Sequence, residues 1–347
     1  KNSAFKQNHN LSLSGGGKKA QYYISTGMYT EDGILRYADI KYKRLNFNAN
    51  IASQITDWLN LKVNTKFMNS DNDTPFGKGA LSEGFYHSLA RFRPTISPID
   101  PNGHFTELTM IPYLQSGTYT NTQKNNLTLT GGLEAQPIKN WRIFFDYTYR
   151  QNNENYEALN VAPMIPGADN ETLYKGTRQE LGVMENGQFT RSSALSQYQS
   201  INLYSNYMFS LADKHNFTVM AGYQEENYAY SYLYPYNQQF RKNFPTNDLT
   251  DIAAGDAATQ KNNGYTRELA MISWFGRINY DYDGRYLLEV NGRYDGSSRF
   301  ASDHRWGFFP SVSLGWNITR ESFMEKSLEV LSNLKLRASW GLLGNQS

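Results

Sequence analysis

The sequence predicts an all-β protein that forms the antiparallel wall of a transmembrane β-barrel. Three observations predict this fold: apolar and polar residues alternate along about a dozen segments, each segment runs for about ten residues or more, and the links between segments are alternately short and long. Strands of soluble folds average about 5 to 6 residues. A tilted strand that crosses a bilayer needs about 9 to 11.

The two-residue period is clear in the segment around residue 145. Trp141, Ile143 and Phe145 occupy one face of this segment, and Arg142 and Asp146 occupy the other. Any half-buried antiparallel sheet alternates in this way, so the argument depends on the length and number of the segments. The predicted strands are residues 5–14, 20–30, 43–53, 58–69, 120–136, 140–151, 197–211, 215–227, 267–282, 285–296, 307–318 and 333–342.

The links between these strands follow the rhythm of an outer-membrane barrel, in which periplasmic turns are short and extracellular loops are long. Tight links are predicted at residues 15–19, 54–57, 137–139, 212–214 and 283–284, and longer ones at 31–42, 70–119, 152–196, 228–265 and 297–306. Asp283-Gly284 is a residue pair that suits a two-residue hairpin. The link 319–332 is long for its periplasmic position and suggests a short helix or cap, and residues 79–92 suggest another short helix.

The composition agrees with a barrel wall. Aromatic residues make up 15% of the 347 residues, with 26 Tyr, 19 Phe and 6 Trp, yet the mean hydropathy is −0.65. Lipid-facing residues that alternate with polar lumen-facing residues produce this combination. The formal charge of +2 gives no reason to expect a nucleic-acid partner. The absence of cysteine is compatible with an oxidising compartment.

The sequence predicts no catalytic residues, no metal site and no cofactor. The five histidines are scattered, without a zinc-protease or nucleophile-elbow motif, and His304 is expected to be an ordinary loop residue. The run Asp71-Asn72-Asp73 lacks the glycine and terminal glutamate of a calcium-binding loop. It is predicted to form an Asx-rich turn.

Five tyrosines alternate along a segment that is predicted to rise from the top of a strand into a long loop: Tyr228, Tyr230, Tyr232, Tyr234 and Tyr236. Two interpretations stay open. The rings stack on sugar faces or on ligand side chains, as aromatic residues do in other recognition loops, or they form an aromatic girdle at the membrane surface together with loop packing.

Several stretches resemble one family of transporters. They are FGRINY at 275–280, RYDGSSRF at 293–300, WGFFPS at 306–311 and LKLRASWG at 334–341, with NLSLSGG at 10–16 near the start. In these stretches the chain is similar to the SusC-like (RagA-like) TonB-dependent outer-membrane transporters, which import glycan fragments or peptides in Bacteroidetes-type bacteria. The loops at about 70–118 and 152–196 show no such similarity.

The resemblance implies a barrel of 22 strands around an N-terminal plug, a size known for plugged transporters. Residues 1–347 are therefore expected to be a partial barrel domain with about 12 of those strands, without the plug and the C-terminal strands. The outermost strands, near Phe5–Leu13 and Leu334–Leu342, should then be open edges. Charged residues expected to face the lumen, where they contact the plug or line the substrate path, are Arg142, Asp146, Arg150, Glu289 and Arg293.

The resemblance also implies a function. The expected activity is TonB-dependent uptake of oligosaccharides or peptides across a Gram-negative outer membrane, whose lipid surrounds the barrel. The expected partners are a SusD-like surface lipoprotein and the TonB–ExbB–ExbD complex, which would act through the missing plug region. A soluble secreted β-rich binding or enzyme domain, and a passive porin, remain the alternatives.

Overall fold

A computed structural model of the chain describes residues 3–75, 90, 95, 97–106, 109–167, 169, 173–175, 187–238, 257–327 and 331–344. Twelve strands form one antiparallel sheet in which each strand pairs with its neighbours along the chain. These strands are β1 (Lys6–Gly16), β2 (Ala20–Asp32), β3 (Lys41–Thr56), β4 (Leu59–Thr74), β5 (Tyr119–Ile138), β6 (Trp141–Asn160), β9 (Gln188–Leu211), β10 (His215–Gln238), β11 (Lys261–Tyr282), β12 (Tyr286–Ser297), β13 (Trp306–Asn317) and β14 (Lys335–Gly341). A separate two-stranded ribbon pairs β7 (Met164–Pro166) with β8 (Leu173–Lys175).

The sheet runs from β1 to β14 and, over the described residues, does not close on itself. The prediction that the first and last strands are open edges is therefore confirmed. All twelve predicted strands are present, and the predicted all-antiparallel architecture is correct.

Several strands are longer than predicted at their extracellular ends. β9 and β10 each have 24 residues, and both continue in unbroken register beyond the segments that alternate in polarity. The prediction that Tyr228 to Tyr236 enter a long loop is wrong, because all five tyrosines lie within β10. Backbone hydrogen bonds to the neighbouring strands continue the β-sheet beyond the point where apolar and polar residues stop alternating.

The tight turns agree with the sequence. Asp283 and Gly284 have φ angles of 52° and 65°, the left-handed pair that a two-residue type I′ hairpin requires. Ala212 and Asp213 also adopt positive φ in the turn between β9 and β10. These turns mark the periplasmic end of the sheet.

The remaining described elements are short helices. One α-helical turn spans Ile111–Leu114, and 3-10 turns span Ala257–Thr259, Ile318–Arg320 and Ser322–Ser327. The last two confirm the helical link predicted before the final strand, whereas the helix predicted over 79–92 lies outside the described residues except for residue 90. No helix in the described part of the chain is long and apolar enough to span a membrane.

The Asx-rich turn predicted at residues 71–73 is wrong, because these residues belong to β4. Their backbones pair with Lys41 to Lys43 on one side and with Asn121 to Gln123 on the other. The carboxylates of Asp71 and Asp73 both accept hydrogen bonds from the Asn121 amide, at 2.5 and 2.7 Å.

A buried apolar cluster lies near the extracellular ends of β5, β6 and β9. It contains Leu159, Val161 and Phe189, against which Tyr119 packs. The Tyr119 hydroxyl donates to the Glu157 carboxylate at 2.5 Å, and burial together with this hydrogen bond raises the pKa of Tyr119 above its ordinary value. The cluster steadies the part of the wall that extends beyond the membrane.

Candidate ligand-contact surface on the lumen wall

The strand register divides the sheet into an apolar and a polar face, because directly opposed residues of antiparallel strands share a face. One row across six strands, from β9 to β14, is entirely apolar: Tyr207, Val219, Ile278, Val290, Val312 and Trp340. The row one residue further along the strands is mainly polar: Asn206, Met220, Arg277, Asn291, Ser311 and Gly341.

The apolar face is exposed rather than packed in a core. Trp274, Phe308 and Leu314 are 57%, 61% and 56% exposed. A soluble protein rarely leaves so large an apolar surface in water, whereas a barrel turns such a surface toward lipid. The polar face is then the lumen wall.

Aromatic residues border the apolar face at two levels. At the extracellular level, Tyr223 contacts Trp274 at 4.8 Å between ring centroids and Tyr294 stacks on Trp306 at 4.9 Å. At the periplasmic level the contacting rings are Phe209, Phe217, Tyr280, Tyr282, Tyr286 and Trp316. Two such girdles are characteristic of transmembrane barrels.

All five charged residues predicted to face the lumen lie on the polar face. Arg142 is opposite Asn206, and Asp146 is opposite Asn202. Arg150 is opposite Tyr198, and its guanidinium lies 5.6 Å from the centre of that ring.

Glu289 and Arg293, the other two, are held by side chains of the wall itself. Arg293 donates to Asp295 at 2.7 Å, to Ser273 at 2.8 Å and to Gln224 at 3.0 Å. Glu289 accepts a hydrogen bond from the Asn291 amide at 2.9 Å. These contacts order the wall across β10, β11 and β12.

An aromatic row on the lumen face was not predicted from the sequence. Phe144 of β6 stacks on Tyr204 of β9 at 4.6 Å, and the row continues through Gly222 of β10 to Phe275 of β11. A Cβ built at Gly222 would lie 2.3 Å from the Phe275 ring. The Phe275 ring can therefore lie over β10 only because residue 222 is a glycine. The four residues of the row come from four different strands. They are neighbours only because of how these strands pair, which the sequence pattern does not show.

The tyrosines of β10 also lie on the lumen face, because the register of β10 is unbroken from His215 to Tyr236. They are therefore on the side opposite the two aromatic girdles. Tyr230 and Tyr232 each contact Tyr265 of β11 at 5.7 Å between ring centroids. Tyr234 lies 6.2 Å from Tyr232, with nearly parallel rings. We call this set of five tyrosines with Tyr265 the tyrosine ladder.

The tyrosine ladder stands above the membrane. Tyr223 is the β10 residue of the extracellular aromatic girdle, which we call the outer girdle. At about 3.4 Å per residue, Tyr228 to Tyr236 lie about 17 to 44 Å beyond Tyr223 along β10. Burial and the neighbouring Tyr265 raise the pKa of Tyr230 above its ordinary value. The Lys261 ammonium lies 5.8 Å from the Tyr236 ring centre at the upper end.

The ladder therefore offers aromatic surface and phenolic hydroxyl groups to the extracellular vestibule of the lumen. Among the described residues no group of three or more His, Cys, Asp or Glu side chains is placed to hold a metal ion. The arrangement suits non-covalent contact with a ligand that has apolar faces and polar edges.

A twelve-stranded antiparallel sheet with one lipid-facing side, two aromatic girdles and a polar inner wall defines a segment of an outer-membrane β-barrel. Residues 60–342 match the family model described as "TonB dependent receptor-like, beta-barrel". The chain belongs to this family, and its location is the outer membrane.

The chain is similar to the TonB-dependent receptor SusC of Bacteroides thetaiotaomicron, at 28% identity over 99% of this chain and 34% of the relative. A TonB-dependent receptor of Formosa agariphila is 27% identical over 97% of this chain and 30% of the relative. The chain thus spans about a third of the length of these relatives. Both relatives are named as TonB-dependent receptors.

Solved structures show the same fold. The RagAB peptide transporter superposes with a TM-score of 0.74 at 22% identity, covering 97% of this chain and 36% of that one. The ferric citrate transporter FecA superposes with a TM-score of 0.53 at 11% identity, covering 91% of this chain and 40% of that one. The sequence prediction of a SusC- and RagA-like barrel segment is confirmed.

Proposed function

We propose that this chain forms part of the wall of an active transporter that takes up oligosaccharides or peptides together with a SusD-like surface lipoprotein. Energy would reach the transporter from the TonB–ExbB–ExbD complex through a plug inside the barrel. Residues 1–347 would then supply about 12 of 22 strands of the complete barrel. The similarity to SusC and the fold shared with the RagAB peptide transporter support this proposal.

The tyrosine ladder is the observation that carries the proposal for ligand contact. The five tyrosines of β10 face the lumen and stand above the outer girdle, where a ligand arrives from outside. Tyrosine supplies rigid contact area together with a hydroxyl group. Both a sugar ring and a peptide side chain have an apolar face and polar edges, so both fit this surface.

The lumen charges have different proposed roles. Arg293 and Glu289 maintain the wall, since their hydrogen bonds are made to other side chains of β10, β11 and β12. Arg142, Asp146 and Arg150 would meet the plug or line the path that the ligand takes past it.

The test is an uptake assay with the full-length protein in cells that lack the native gene. Labelled oligosaccharides and peptides are offered to the wild type and to the double variant Tyr230→Ala/Tyr232→Ala. Removal of two stacking rings should raise the half-saturating ligand concentration by about tenfold. Tyr147→Ala is a matched control, because Tyr147 lies on the lipid face and is 38% exposed.

The variant Tyr230→Phe/Tyr232→Phe separates the rings from their hydroxyl groups. If stacking dominates, this variant resembles the wild type, and if hydroxyl hydrogen bonds dominate, it resembles the alanine variant. Equal uptake by the wild type and the alanine variant would contradict the role of the ladder. Uptake that is unchanged in cells without TonB would contradict active transport and favour the passive porin.

A further inference from the structure

A cluster of charged and aromatic side chains lies on the lumen face at the extracellular ends of β1, β2 and β3. We call it the Arg44 cluster, and its members are Lys6, Tyr29, Glu31, Tyr42 and Arg44. Its face follows from the register, because directly opposed residues of antiparallel strands share a face. One such row runs from the cluster to the tyrosine ladder: Tyr29, Arg44, Ser70, Lys124, Glu154, Ala194 and Tyr232.

Tyr29 is the central ring of the cluster. The Lys6 ammonium lies 5.1 Å from the centre of this ring, and the Arg44 guanidinium lies 5.5 Å from it. The two cations come from the two strands that flank β2. Tyr42 meets Tyr29 edge to face, with 5.8 Å between ring centroids. An aromatic ring attracts a cation but does not neutralise it, so Arg44 keeps its positive charge.

The carboxylates near Arg44 are bound to other cations. Glu31 pairs with Lys6 at 3.8 Å and also accepts a hydrogen bond from the Tyr29 hydroxyl. Further along the row, Glu154 pairs with Lys124 at 2.9 Å. Arg44 lies between these two ion pairs and forms none with a carboxylate of the described residues.

The Arg44 side chain also leaves a hydrogen-bond donor unused. Its Nε atom is buried and has no hydrogen-bond partner within the described part of the chain, although the residue as a whole is only half-buried. Buried donors in folded proteins nearly always have a partner. An unpaired donor next to an uncompensated charge is a place for an anionic acceptor that comes from outside the wall.

We propose that the Arg44 cluster is a subsite for a carboxylate group of the transported ligand. The guanidinium donates parallel hydrogen bonds to both carboxylate oxygens, a geometry that a planar fork of donors provides and an ammonium group does not. The rings of Tyr29 and Tyr42 contact the apolar face of the sugar or amino acid that bears the carboxylate. This inference rests on the proposed uptake function and narrows its ligands to acidic ones.

The Arg44 cluster and the tyrosine ladder contact different parts of such a ligand. Five strand-to-strand steps separate Arg44 from Tyr232, which is about 24 Å along the sheet at about 4.8 Å per step. An extended peptide needs about seven residues to cover that distance. Substitutions in the two surfaces should therefore have separable effects on ligand binding.

The test measures binding to the purified full-length protein in detergent by titration calorimetry, with two matched pairs of probes. One pair is hexagalacturonate and uncharged galactohexaose, and the other is a hexapeptide that contains glutamate and its glutamine counterpart. The wild type should bind a carboxylate-bearing probe about tenfold more tightly than its uncharged counterpart. Arg44→Gln should abolish this preference and keep the affinity for the uncharged probe, and Arg44→Lys should restore only part of it.

Lys43→Gln is the matched control, because Lys43 is the preceding residue of β3 and lies on the opposite face of the sheet, in register with Asp71. It should bind all probes as the wild type does. The glycan pair and the peptide pair distinguish the two sources of the carboxylate. A wild type that shows no charge preference in either pair would overturn the proposal. Equal weakening of charged and uncharged probes by Arg44→Gln would also overturn it, since that result indicates a structural role.

Uptake of the same probes by cells with and without TonB keeps this proposal distinct from the proposed function. The expected charge preference in binding, without any uptake, would support the subsite and contradict active transport. TonB-dependent uptake of charged and uncharged probes at equal rates, with equal affinities, would support active transport and overturn the subsite.

Discussion

An arginine placed on the lipid face should destabilise the protein far more than an arginine placed one residue away on the lumen face. Ile278 lies midway between Trp274 of the outer girdle and Tyr282 of the inner one. These two residues are about 27 Å apart along the strand, and about 20 Å apart along the membrane normal at the usual tilt. Ile278 is 47% exposed and lies near the centre of this band.

The expected cost of Ile278→Arg is about 2 to 4 kcal/mol, the range for arginine at the midplane of a barrel. This corresponds to about a 30- to 700-fold change in the folding equilibrium. Asn279→Arg is the matched control on the lumen face, opposite Glu289, and should cost less than about 0.5 kcal/mol, as surface substitutions do.

The assay is reversible unfolding of the full-length protein in lipid vesicles, followed by tryptophan fluorescence over a guanidinium series. The heat-dependent shift in gel mobility verifies that each variant forms a barrel. Equal destabilisation by Ile278→Arg and Asn279→Arg, or a larger effect of Asn279→Arg, would show that the assignment of the two faces is wrong.

Three further outcomes follow from single contacts. Gly222→Val should destabilise the wall by about 1 to 3 kcal/mol in the same assay, because a Cβ at residue 222 would lie 2.3 Å from the Phe275 ring. Gly131→Ala is the control and should be neutral, because a Cβ at residue 131 has no atom within 4 Å. Arg293→Met should cost about 1 to 3 kcal/mol, since three side chains lose their hydrogen-bond donor, and an unchanged unfolding midpoint would contradict this. The hydrogen bond from Trp316 lowers the pKa of Glu321 below its usual 4.5. The stabilising charge is fully present above pH 4.5 and is lost as the pH falls through the lower folded value, so Glu321→Gln should lower the unfolding temperature at pH 7 and have no effect below the folded pKa.

The sequence predicts the membrane-spanning part of the sheet well because one physical constraint governs it. Lipid on one side and water on the other impose a two-residue period, as at Trp141, Ile143 and Phe145. Asp283-Gly284 similarly requires positive φ at both residues, and few residue pairs tolerate that. These signals are local, so they can be found without knowledge of the neighbouring strands.

Above the bilayer the sheet no longer has lipid on one side and water on the other, so the two-residue period is no longer imposed. Both faces of β9 and β10 then contact water or protein, so the polarity pattern no longer indicates where a strand ends. The sequence therefore predicts that the tyrosines of β10 enter a loop, although β10 stays paired with β11 up to Tyr236. The aromatic row of Phe144, Tyr204 and Phe275 was missed for a related reason, because its members are adjacent only through the register of separate strands.

The measurement that most directly tests the two-faced barrel wall is a single-cysteine scan along β10. Residues 1–347 contain no cysteine, so each thiol introduced on β10 adds one labelling site, and the wild-type protein gives the background labelling in intact cells. Below Tyr223, a membrane-impermeant maleimide that reaches the lumen should label even-numbered positions such as 218 and 220, and should spare odd-numbered positions such as 219 and 221. From residue 228 upward, both faces should react from the outside. Uniform labelling from 217 to 223, or protection of residues 228–236 from the external reagent, would contradict a lipid-facing band topped by a tyrosine ladder above the membrane.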